Sequence, residues 1–105
     1  MLLKVGRATE IFLRGSDNTN SANWVHVKQF TSSTEACRVT HPNARHLQLY
    51  VWWQEGKLFL QNNSGGKLTY KVHDATDDQW TAPTEIQMKT DHYIQTENAN
   101  IWFLL

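Results

Sequence analysis

The stretch His46-Leu47-Gln48-Leu49-Tyr50-Val51-Trp52-Trp53 constrains the fold more than any other. Successive side chains of a strand point to opposite faces, so Leu47, Leu49, Val51 and Trp53 share one side and His46, Gln48, Tyr50 and Trp52 the other. No helical period fits this pattern. Gln54-Glu55-Gly56 then supplies turn residues, and Lys57-Leu58-Phe59-Leu60-Gln61 alternates again, so the segment predicts an antiparallel hairpin. A slip of one residue would bury Gln48 and Lys57 instead of Leu49 and Leu58, which fixes the inward face as Leu47, Leu49, Val51, Leu58 and Leu60.

The rest of the chain follows the same period. Further strands are expected at residues 9–14, 24–28, 67–72, 85–88, 93–95 and 100–105, each rich in β-branched or aromatic residues. Polar connections with turn formers separate them at residues 15–23, 31–35, 62–66, 74–78 and 96–98. Short strands at this spacing point to a sandwich or a barrel, and the fold expected over residues 1–105 is an all-β, single-domain antiparallel β-sandwich. A chain of 105 residues suits one core. Five tryptophans and four phenylalanines are a large aromatic load, and most of it is needed inside. Trp53 and Trp102 are expected in the core, while for Trp52 the core and an exposed binding surface both stay open.

Composition narrows the function. Ten Lys and Arg balance ten Asp and Glu, so no net field draws the chain to nucleic acid or to an anionic membrane. Mean hydropathy is −0.56, and no apolar run approaches the roughly 18 residues of a membrane span. The start Met1-Leu2-Leu3-Lys4-Val5-Gly6-Arg7 lacks the apolar stretch of a signal peptide, and one cysteine, Cys37, can form no internal disulfide. Together these point to a reducing intracellular compartment, cytoplasm or nucleus. Asn62-Asn63-Ser64 matches a glycosylation acceptor but reads as a turn in that setting.

Catalytic and metal patterns are weak. His26, His41, His46, His73 and His92 fall in different segments without the close pairing of a zinc site. Gly65-Gly66-Lys67 is followed by Leu68 and so is no phosphate loop. Cys37 reads as a small buried thiol, and the Asp74, Asp77 and Asp78 cluster lacks the ligand order of a calcium loop. We therefore expect no enzyme, no cofactor and no metal.

Asn43-Ala44-Arg45-His46-Leu47-Gln48-Leu49, the hairpin after it, and Leu58-Phe59-Leu60-Gln61-Asn62-Asn63-Ser64-Gly65-Gly66-Lys67-Leu68-Thr69-Tyr70 together resemble a forkhead-associated (FHA) domain. Lys89-Thr90-Asp91-His92-Tyr93-Ile94 resembles that family's turn before a short strand, and the segment 101–105 its last strand, so nearly the whole chain is covered. The family is an eleven-stranded β-sandwich whose end loops bind phosphothreonine peptides. The resemblance implies that His46, the counterpart of its structural histidine, is buried and braces the loops by hydrogen bonds. It implies a phosphopeptide or partner site at Lys28, Asn43, Arg45, Ser64 and Lys67.

The family's own pattern is altered at that site. Asn43 stands where it has a phosphate-contacting serine, and Ala44 where it often has Arg or Lys. Lys28-Gln29 replaces its Gly-Arg, and the Asn-Gly-Thr turn survives only as Gly66-Lys67-Leu68-Thr69. A phosphate needs charge-assisted donors, which Lys28, Arg45 and Lys67 would have to supply. The expected function is a non-enzymatic protein-interaction module or scaffold with altered or lost phosphothreonine recognition, the N-terminal part of a larger protein or a fragment of one. Two other classes stay open. One is a carbohydrate-binding sandwich using Tyr50, Trp52 or Trp80; the other is a structural domain that assembles as a homodimer or within a larger complex.

Overall fold

The computed structural model describes residues 9–14, 25–31, 34–42, 44–95 and 98–104. The connection expected at residues 15–23 and the site residue Asn43 lie outside them. The described chain forms strands and turns with no helix, an all-β architecture. Its strands are β1 (Thr9–Arg14), β2 (Val25–Phe30), β3 (Cys37–His41), β4 (Ala44–Gln54), β5 (Lys57–Asn62), β6 (Leu68–Asp74), β7 (Gln79–Trp80), β8 (Thr84–Ile86), β9 (Asp91–Ile94) and β10 (Ala99–Leu104).

Two sheets result. The first runs β2-β1-β10-β6-β7 with β8 also beside β6; the second runs β3-β4-β5-β9. β1 and β10 run parallel, and every other pairing among the described residues is antiparallel. β7 and β8 share one edge of β6. Val72, between their pairings, is satisfied by Thr81, whose amide donates to the Val72 carbonyl at 2.8 Å and whose hydroxyl accepts from the Val72 amide at 3.0 Å.

The β4–β5 hairpin has the register read from the sequence. Leu49 pairs with Asn62, Val51 with Leu60 and Trp53 with Leu58. Glu55 and Gly56 close it with φ of 53° and 76°, the doubly left-handed turn that matches strand twist and favours glycine at the second position. All five expected inward residues are buried, in one cluster with Ile11 and Leu13 of β1 and Ile101 and Phe103 of β10. The two sheets therefore share a core. Trp53 is partly buried against it. Trp102 is buried too, but alternation turns it away from the cluster, where Trp80 covers it at 5.6 Å between ring centroids.

Contacts between the sheets close both sides of the molecule. On one side Lys28 of β2 donates to the Cys37 sulfur of β3 at 3.4 Å. On the other, the Tyr70 hydroxyl of β6 bonds Nδ1 of His92 on β9 at 2.7 Å. Burial raises the Tyr70 phenol above its ordinary value of 10.0. A raised pKa means the folded state holds the proton more tightly, so this contribution to stability is complete below pH 10.0 and fades as pH rises beyond it.

Two outcomes are expected. Leu49→Ala should lower the unfolding free energy by about 2–5 kcal/mol in urea titration; an unchanged midpoint would contradict the register. Between pH 9 and 11 (roughly one unit either side of a free tyrosine), the wild type should lose stability more steeply than Tyr70→Phe.

Candidate partner-binding surface

The expected loop site is drawn apart. Lys28 is exposed on β2, with its amine at Cys37 and 5.5 Å from the Phe30 ring centroid. Cys37 pairs with Val51. From Val51 back to Arg45 the β4 strand runs on the order of 20 Å at about 3.3 Å per residue. Lys28 therefore does not converge with Arg45. Arg45, Ser64 and Lys67 do lie toward the same end of the molecule, where β4 begins and β5 leads into β6.

At that end the Ser64 hydroxyl and the Lys67 amine are already engaged. Ser64 is buried, and its hydroxyl accepts from the Gln48 amide at 2.9 Å and donates to the Gln48 carbonyl at 3.3 Å. Its role is structural. Lys67 is paired with Glu85 at 3.0 Å, an exposed bridge that offsets its charge. Arg45 is exposed.

His46 corrects the expectation drawn from the family resemblance. Its side chain is exposed and makes no hydrogen bond among the described residues. The cause is strand geometry: His46 shares the outward face with Gln48 and Tyr50, because Leu47, Leu49 and Val51 take the inward one. The bracing role belongs instead to Asn62, which is fully buried at 0% exposure. Its amide nitrogen donates to the carbonyls of Gly66 and Ile86, each at 2.9 Å, and its side-chain oxygen accepts from the Ser64 amide at 2.8 Å. Its backbone bonds Thr90 at 3.1 Å and Lys89 at 2.7 Å. One residue thus ties the 63–67 connection, β8 and the 87–90 turn together.

The outward face of the second sheet is different in kind. Trp52 pairs with Phe59, and Phe59 with Tyr93, so three aromatic residues form a row across β4, β5 and β9. Trp52 and Phe59 stack at 5.3 Å with planes 10° apart; Phe59 and Tyr93 are 5.6 Å apart. Tyr50 extends the row from Trp52 at 5.9 Å, and the Lys57 amine sits 4.8 Å from the Tyr93 ring centroid. Tyr50 and Tyr93 are exposed by 38% and 46%, and Trp52 and Phe59 are half-buried. Phe59 and Tyr93 were missed in the sequence. The outward direction of Phe59 follows from the hairpin alternation, whereas the place of Tyr93 depends on a distant pairing.

The acidic cluster serves turns. Asp74 and Asp77 accept from the amides of Thr76 at 2.9 Å and Gln79 at 3.2 Å, and Asp78 pairs with His73 at 2.6 Å. Among the described residues, no group of three or more His, Cys, Asp or Glu side chains could hold a metal ion, and no helix is long and apolar enough to cross a membrane. Comparison of the chain with models of known protein families, with curated proteins and with solved structures finds no match.

Replacing Asn62 with Ala should destabilise the protein by about 2–5 kcal/mol, since each buried group left without a partner costs about 1–3 kcal/mol. Asn62→Asp keeps the acceptor for Ser64 but loses both donated bonds, and should also destabilise. Urea unfolding of either variant at wild-type midpoint would contradict the bracing role.

Proposed function

We propose that the chain is a non-enzymatic protein-interaction module of forkhead-associated type, and that it engages its partner through the aromatic face of the second sheet. Phosphothreonine recognition is altered or lost in this reading. The row Tyr50, Trp52, Phe59 and Tyr93 carries it. Tyrosine and tryptophan dominate binding energy at protein interfaces because they bring large area with few rotatable bonds and a polar tip. Contiguous exposed aromatics on a sheet face are a recognised mark of an interaction site. The amides Gln48, Gln54 and Gln61 and the charges Arg38 and Asp91 on the same face would provide a polar rim.

Two features favour a protein contact on this face over phosphate binding at the loop end or sugar stacking on the aromatic row. The Ser64 hydroxyl is satisfied internally and Lys67 is paired, so a phosphate would have to displace existing bonds at the loop end. The Trp52 and Phe59 rings also stack on one another, which uses the faces that a sugar would cover. An intracellular partner fits the single cysteine.

Selection from peptide libraries, one phosphorylated on threonine and one plain, tests this reading. Ligands are expected from both pools. Trp52→Ala or Tyr93→Ser should weaken them at least about tenfold, as truncating an aromatic anchor does, and Arg45→Ala should change little. Ligands that require phosphothreonine and are lost on Arg45→Ala would overturn it.

A further inference from the structure

We propose that the cleft between β9 of the second sheet and the β6–β8 edge of the first is a binding site for a neutral sugar ring. Its volume is about 410 Å³, within the range of about 300–1,000 Å³ typical of small-molecule sites. Tyr70 and Ile94 line it between the sheets, and Trp80 and Tyr93 contribute to its walls. Both wall aromatics are held by neighbours: Trp80 by His73 at 4.8 Å and Trp102 at 5.6 Å, Tyr93 by Phe59 at 5.6 Å. Aromatic surface suits the C–H face of a pyranose, which is apolar while its edge is ringed with hydroxyls.

The polar lining decides the ligand class. Gln79, Thr81, Thr84 and Gln95 are neutral groups able both to donate and to accept. Several are oriented by internal bonds. The Gln95 amide donates to the Tyr93 hydroxyl at 3.3 Å, and the Gln79 amide to the Asp77 carbonyl at 3.4 Å. A primary amide has two donor hydrogens and two acceptor lone pairs, so each glutamine keeps capacity for a hydroxyl. Asp74 and Asp77 add carboxylate acceptors, and among the described residues no Lys, Arg or His lines the cleft.

That balance disfavours the alternatives. An anionic ligand would meet two carboxylates without a cation to offset them. A bare ammonium would donate to the carboxylates and to the amide and hydroxyl oxygens but offer no acceptor to the amide donors, and a wholly apolar ligand would strip water from the carboxylates without replacing its bonds. The Lys57 amine reaches the outer Tyr93 ring from β5, 4.8 Å from its centroid. A sugar ring uses both the aromatic and the polar lining.

This site goes beyond the protein-contact reading and can fail without it, because Trp52 lies outside the cleft. The probes are methyl glycosides of glucose, galactose and mannose, followed by amide chemical shifts in NMR titration. At least one should give saturable shifts at Tyr70, Thr84 and Ile94. Gln79→Ala and Gln95→Ala, both at exposed positions whose spectra also report folding, should each weaken it roughly three- to tenfold, the effect of losing about one hydrogen bond. Trp52→Ala should leave the affinity unchanged. Tighter binding of the methyl glycoside than of the free sugar would indicate a glycan terminus, and the reverse a free monosaccharide; either supports the site. No saturable shift there from any glycoside, an undiminished response in both glutamine variants, or an equal response to arginine amide would overturn it.

Discussion

Asn62 is the point on which the rest of the structure depends. A fully buried amide is costly unless its donors and acceptor are met, and here they are met by Gly66, Ile86 and Ser64. Ser64 passes the connection on to Gln48 of β4, and the Asn62 backbone reaches Lys89 and Thr90. The network thus joins the second sheet, through β4 and β5, to the first, through β8. It also explains why this end offers little to a phosphate: its buried polar groups are committed to holding the chain.

With that end fixed, the second sheet divides its work between two faces. The inward one is aliphatic and shares a core with β1 and β10. The outward one carries the aromatic row, its register set by the same hairpin turn that sets the inward one. A single alternation therefore specifies both packing and surface. The β9 edge adds a second consequence, because Tyr93 belongs to the row and also borders the cleft.

The hairpin and its inward residues were legible because the information is local: alternation, turn residues after Trp53 and aliphatic identity suffice. β1 was read with its observed limits for the same reason. β3 was not anticipated, since Val39 is its one fully buried side chain and it pairs irregularly with β4. β7 has two residues, too few for any period, and exists through pairing with β6. His46 is the instructive case: alternation put it outward with Gln48 and Tyr50, while the family resemblance put it inside, and the alternation agrees with the structure. Asn62 read only as part of a turn, because its partner Ile86 lies far along the chain.

Native-state hydrogen exchange of the amides of Gln48, Asn62, Asn63, Ser64 and Lys89 tests the central claim most directly. Each donates within the network built on Asn62. If that network joins the two sheets, these amides open only with global unfolding, at the same free energy as the amides of the core strands. Exchange at loop-like rates while Leu49 and Leu60 stay protected would contradict it.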